Sequence, residues 1–149
     1  HPHTTRQRRT PQRIAAMSLT AIASICIGAS LGALARWRLG LWLSAPGQLP
    51  WGTLWANAIG GYLIGLAIAC LEAFPQLDPV WRLFFITGFL GALTTFSSYS
   101  AEVFHLLHTG RWMVGLLWTA AHLLASITLT AAGWYCAQAW LAKFSGSAV

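Results

Sequence analysis

Charge is what this chain of 149 residues has least of: Asp, Glu, Lys and Arg make up 8% of it, against about 25% in an ordinary soluble domain. Only three residues are acidic, so the rings of carboxylates that line many cation pores are missing. The three cysteines, Cys26, Cys70 and Cys136, stand singly among apolar residues. Their spacing fits neither a disulfide framework nor a metal site, and they read as buried small hydrophobes. Ser126 lies near His122 but has no evident orienting acid and no nucleophile motif, which argues against an enzyme. No internal repeat is visible.

What the chain has is hydrophobicity: 56% apolar residues, nine Trp and a mean hydropathy of +0.59. Runs free of charge extend over Ile14–Ala35, Leu39–Leu71, Leu83–Ala101 and Trp112–Ala142. About 20 apolar residues cross the hydrocarbon of a bilayer as a helix. The expected architecture is therefore an all-α membrane protein of four transmembrane helices, near Ser18–Leu43, Trp51–Glu72, Val80–His108 and Arg111–Lys143. Trp51, Trp81, Trp112 and Trp140 fall near span ends, where indole prefers the interface. Residues 18–143 form the channel-sized membrane domain and residues 144–149 a short tail. Residues 1–17 read as a basic disordered tail, or as a cloning or targeting remnant. That tail holds Arg6, Arg8, Arg9 and Arg13, much of the net charge of +6. Its partner by this reading is lipid headgroups, not nucleic acid.

The third span is the unusual one. Gly88-Phe-Leu-Gly-Ala-Leu-Thr-Thr-Phe-Ser-Ser-Tyr-Ser-Ala-Glu102 places glycines and hydroxyls in the middle of an otherwise apolar run. Irregular backbone is tolerated at that depth only where protein buries it or water reaches it. The third helix is expected to break over Gly91–Thr94, freeing carbonyls for which there are two candidate occupants, a bound water or a monovalent cation.

Helical spacing sorts the other intramembrane polar residues into stripes. Thr53, Asn57, Gly61 and Gly65 share a face of the second span; Thr119, His122, Ser126 and Thr130 share one of the fourth. Thr95, Ser98 and Glu102 align in the third, with Ser97 and Ser100 beside them. Each hydroxyl taken singly has a simpler role, bonding its own backbone. Three aligned stripes in so short a chain point to a transport path. They offer O–H and N–H donors with one carboxylate, Glu102, so the permeant species is expected to be an anion. Phe96 and Tyr99, three apart, either pack ordinarily between helices or turn positive ring edges towards the path.

Small residues at Gly28 and Gly32 allow close helix approach in the first span, and Arg36 and Arg38 follow near enough to its end to snorkel. Outside the tail, Arg82 and Lys143 stand on one side of the membrane and Arg36, Arg38 and Arg111 on the other. So even a balance gives almost no instruction for orientation. A chain that inserts both ways can form an antiparallel, dual-topology homodimer.

After Met17 the chain resembles the CrcB/Fluc family of fluoride channels. The resemblance rests on Gly28-Ala-Ser-Leu-Gly-Ala-Leu-Ala-Arg36, on Gly52-Thr-Leu-Trp-Ala-Asn57 with Gly60-Gly61, and above all on Gly88–Glu102, close to the family signature GxxGGxTTFSTFSxE. It implies a dual-topology homodimer with two fluoride pores, passively exporting fluoride across a bacterial-type inner (plasma) membrane. It places Asn57 along the pore and Phe96 and Tyr99 in an aromatic box. Thr95, Ser97, Ser98 and Ser100, with His122 and Ser126, fall on a polar track. Backbone carbonyls of Gly91 and Thr94 from both subunits would hold a structural Na+; no organic cofactor is implied. Arg36 and Glu102 match recurring positions at the pore mouth or in the helix framework. Two residues depart from the family pattern: Tyr99 replaces a usual Phe, and Ala92 the second Gly of a pair. The alternatives are a proton-coupled exporter, disfavoured because the first two spans lack a carboxylate before Glu72, and a haem-binding subunit using His105, His108 and His122.

Overall fold

The computed structural model describes the backbone of residues 11–146 and the side chains of residues 18–146. Most of the tail assigned to residues 1–17, and the last residues of the C-terminal tail, lie outside that description. Within it every regular element is helical: α1 (Pro11–Leu43), α2 (Trp51–Ala73), α3 (Pro79–Arg82), a π-helical stretch (Leu83–Leu90), α4 (Gly91–Leu93), α5 (Phe96–His108) and α6 (Trp112–Ser145). The helical backbone thus begins at Pro11 and takes in the end of the segment expected to be a tail. Four spans long and apolar enough to cross a membrane result: Ser18–Leu43, Trp51–Ala73, Pro79–His108 and Trp112–Ser145.

Local chemistry sets the ends. Gly47 turns at φ 76° in the first loop, and the Ser44 hydroxyl accepts from the Gly52 amide at 3.0 Å as α2 begins. Asp78 caps the third span by accepting from Val80 N–H at 2.9 Å, with Pro79 in the first helical position, where its missing N–H costs nothing. At the far end Gly110 takes φ 80°. There Arg111 N–H closes back on Leu106 at 2.8 Å, a Schellman turn that frees the chain to reverse into α6.

Packing pairs α1 with the third span and α2 with α6. Close approach of backbones drives both contacts. A Cβ at Gly28 would strike the Phe84 carbonyl and one at Gly32 the Phe89 carbonyl, so the small-residue stripe of the first span is the seat of the π-helical stretch. Gly65 lies against the Thr130 carbonyl and Gly133 against the Tyr62 carbonyl. Alanines and glycines make up much of the buried set, with Ala56 and Ala69 0% exposed beside Leu90, Leu93, Leu106 and Trp118, while many large apolar side chains such as Trp42, Leu124 and Ile127 lie outside. In water this distribution would be inverted; in lipid it is the stable one, since tails solvate Leu as well as protein does. Trp51, Trp81, Trp112 and Trp140 are exposed near the span ends, as expected.

Candidate functional site

The third span is broken, but at Thr94–Thr95 and not across Gly91–Thr94. Gly91–Leu93 stays helical, and the unwound residues are Thr94 (φ −82°, ψ 152°) and Thr95 (φ −148°, ψ 123°). The expected break over Gly91–Thr94 is corrected accordingly, and the cause lies in the second span. In a continuous helix the Thr95 amide would donate to the Gly91 carbonyl. Here it donates to Asn57 Oδ1 at 2.7 Å, while Asn57 Nδ2 donates back to the Thr95 carbonyl at 3.0 Å. One carboxamide thus pairs with both polar groups of one backbone residue, replacing the helical bonds that the break removes. Thr95 Oγ1 then accepts from Ser98 N–H at 3.1 Å, capping the start of α5.

Arg36 secures the same region from the first span. Its Nε–H donates to the Ala92 carbonyl at 3.1 Å and Nη1 reaches Ser98 Oγ at 3.4 Å, bridging the helices on either side of the break. The expected snorkel to the interface is therefore wrong for Arg36. An open carbonyl and a hydroxyl offer partners that a fully apolar helix face would not. Arg38 is exposed.

Glu102 anchors a second cluster. Thr53 Oγ1 donates to its Oε1 at 2.5 Å and Trp118 Nε1 to its Oε2 at 3.0 Å. His122 Nε2 stands 3.9 Å from the same Oε2. Trp118 belongs to none of the polar stripes; its place one turn before His122 on α6 is the signal in the sequence that aligns it with this cluster. His122 itself is 4% exposed, and its Nδ1 meets Asn57 Nδ2 at 3.1 Å.

A cleft of about 460 Å³ opens beside the break. Asn57 lines it from α2, Gly91, Thr94, Thr95, Phe96 and Tyr99 from the third span, and His122 and Ser126 from α6. The Phe96 and Tyr99 rings lie 5.5 Å apart at 56°, and Tyr99 lies 4.7 Å from the His122 ring. Ser97 and Ser98 sit outside the cleft wall on Thr95 and Arg36 respectively, Ser97 Oγ 3.3 Å from Thr95 Oγ1. Ser100 is half-buried and does not line the cleft. The stripes themselves divide. Thr119 and Thr130 bond their own helix, to Gly115 and Ser126 carbonyls, and Gly61 and Gly65 serve close packing against α6. His105 and His108 are exposed, away from buried His122, and no group of three metal-ligating side chains occurs among the described residues.

Fold and site together define a small four-span integral membrane protein whose polar groups converge on an interrupted third span. A family model described as CrcB-like protein, Camphor Resistance (CrcB), matches residues 23–134. The chain belongs to the CrcB family. It is 60% identical over 115 residues to a protein of Albidiferax ferrireducens, covering 77% of this chain and 88% of that one. It is 61% identical over 112 residues to one of Variovorax paradoxus, covering 75% and 90%. A third, from Paracidovorax citrulli, is 52% identical over 122 residues, covering 82% and 97%. Each of the three is named fluoride-specific ion channel FluC.

Proposed function

We propose that this chain is a passive fluoride channel of a bacterial plasma membrane, working as an antiparallel homodimer with two pores and relieving the cytoplasm of fluoride. The observation that carries this reading is the cleft at the break, lined by Asn57, Thr95, Phe96, Tyr99, His122 and Ser126, in a chain whose relatives are named fluoride-specific channels. Those names are of ion channels, not enzymes, in line with the missing nucleophile motif.

A small anion gives up its water only where other donors replace it. Hydroxyls of Thr95 and Ser126 and the edges of the Phe96 and Tyr99 rings supply weak successive sites, so the ion can also leave. The phenyl ring of Phe96 is 78% exposed on the single chain, and Gly91, whose carbonyl has lost its usual amide to Asn57, is exposed beside it. Unpaired backbone in hydrocarbon costs roughly 2–7 kcal/mol per group, so a second copy is the natural cover. Freed carbonyls of Gly91 and Thr94 are hard oxygen donors, suited to Na+ when two copies bring them together across a two-fold axis. With Arg36 drawn inward, the interfacial cations outside the N-terminal tail reduce to Arg82 and Lys143 on one side and Arg38 and Arg111 on the other, which suits insertion in either direction.

Efflux from proteoliposomes followed with a fluoride electrode, with chloride measured alongside, tests the reading. Fluoride is expected to leave and chloride to stay, with Phe96→Ile and Asn57→Asp each cutting fluoride efflux at least about tenfold while the dimer persists, consistent with loss of one charge-assisted or desolvated contact. Efflux no faster than from protein-free vesicles, or unchanged in both variants, defeats it.

A further inference from the structure

The hydrogen bonds around Asn57 determine the state of His122. The Thr95 amide can only donate, so the Asn57 atom 2.7 Å from it is the carbonyl oxygen and the atom facing His122 is the amide nitrogen. That nitrogen donates, hence His122 Nδ1 at 3.1 Å accepts and carries no proton. The neutral ring therefore holds its proton on Nε2, which is buried and makes no hydrogen bond among the described residues. The charged or titratable groups facing the ring are Glu102, with Oε2 at 3.9 Å, and Tyr99, centroid to centroid 4.7 Å, both from α5. The second span presents neutral Asn57, and α6 its own Trp118 at 5.2 Å. Arg36 is engaged with Ala92 and Ser98.

We propose that His122 is a positioning residue, which holds the Asn57 carboxamide, and through it the unwound Thr95, in conducting geometry only while the imidazole is neutral. Adding a proton at Nδ1 sets two donors against each other across the contact with Asn57. Turning the carboxamide over restores that contact, but it places oxygen against the Thr95 carbonyl and NH₂ against the Thr95 amide, so both bonds at the break are lost. The imidazolium also gains an attractive partner in Glu102 on the opposite side of the ring, pulling it away from Asn57. Acid is thus expected to loosen the clamp at the break.

The inference rests on the fluoride-channel reading, and the experiment separates the two. Fluoride efflux is recorded from vesicles of the wild type, H122N and H122L from about pH 8 down to about pH 4.5, with protein-free vesicles subtracted for leakage of HF. Efflux above background at the upper end of the range tests the channel itself. The wild-type rate is expected to fall at least about threefold across the imidazole range. His122→Asn supplies an amide oxygen in place of Nδ1 and does not titrate, so its rate is expected to be flat across the range and above that of H122L. His122→Leu removes the acceptor and is expected to be slow and flat. A flat wild-type profile, the same slope in H122N, or wild-type rates in H122L overturns the proposal. If H122L does not fold, the profiles of the wild type and H122N decide. Independently of any flux, the ¹⁵N spectrum of histidine-labelled protein, with His122 assigned by its absence in H122N, is expected to show the Nε2–H tautomer near neutral pH; the Nδ1–H tautomer refutes it.

Discussion

Arg36 and Ala92, 56 positions apart in the chain, meet through a 3.1 Å hydrogen bond from the guanidinium Nε to the backbone carbonyl. That carbonyl lies in the last helical turn before the break, where the helix runs out of its own amide donors. A second nitrogen of the same fork reaches Ser98 beyond the break, so one planar group spans both half-helices. Arg36→Gln loses the charge and the fork and is expected to lower unfolding stability in detergent by about 2 kcal/mol, with slower efflux. Arg36→Lys keeps a point charge without the fork geometry and is expected to fall between the two. Equal melting temperatures for all three proteins would refute the bridging role.

The α2–α6 contact makes a sharper stability prediction. A Cβ on Gly133 meets the Tyr62 backbone carbonyl, which no side-chain rotation relieves, whereas at Gly40 nothing lies within 4 Å. Gly133→Ala is expected to cost about 1–3 kcal/mol through forced separation of the helices. Gly40→Ala is expected to be neutral or mildly stabilising, since alanine is the better helix former. Size-exclusion profiles after graded heating check the pair. Indistinguishable behaviour of the two variants counts against the close-approach account of this interface.

The spans were legible because charge is scarce and its gaps match the membrane thickness. The third-span break was legible in kind from Gly91, Thr94 and Thr95, yet not in position. Nothing in local composition says that Asn57, from another helix, will capture the Thr95 amide and so move the unwinding to Thr94–Thr95. Periodicity placed Thr53, Asn57 and His122 on inward faces but could not separate hydroxyls that meet other helices, such as Thr53, from those that return to their own, such as Thr119 and Thr130. Arg36 misled for a related reason. A cation near a span end snorkels unless a carbonyl is left open within reach, and that opening is a tertiary feature.

Tyr99 can be tested against the phenylalanine usual at its position in the family. Its ring faces both Phe96 and His122, and the packing is that of the ring, with no hydrogen bond from the hydroxyl among the described residues. Tyr99→Phe is expected to leave fluoride efflux within about twofold, because the ring edges are retained. Tyr99→Leu removes them and is expected to slow efflux about tenfold or more, at the scale of one lost aromatic contact. Loss of flux in the phenylalanine variant would show that the hydroxyl itself serves the ion.

Glu102 takes both of its donors on carboxylate oxygens, Thr53 at Oε1 and Trp118 at Oε2. A carboxylate accepts at both ends, whereas a carboxamide of the same shape accepts at one and donates at the other. Glu102→Gln therefore sets its NH₂ against either the Thr53 hydroxyl or the Trp118 indole N–H. The hydroxyl can rotate to accept; the indole cannot. The amide is expected to settle with its oxygen on Trp118 and its nitrogen on Thr53, keeping the fold but converting two charge-assisted bonds into two neutral ones, about half as strong. Thr53→Val in the same background then leaves the new NH₂ unpartnered and is expected to cost a further 1–3 kcal/mol or so. Thermal unfolding of the single and double variants measures this, and a double variant as stable as E102Q alone would mean that Thr53 does not hold this side chain.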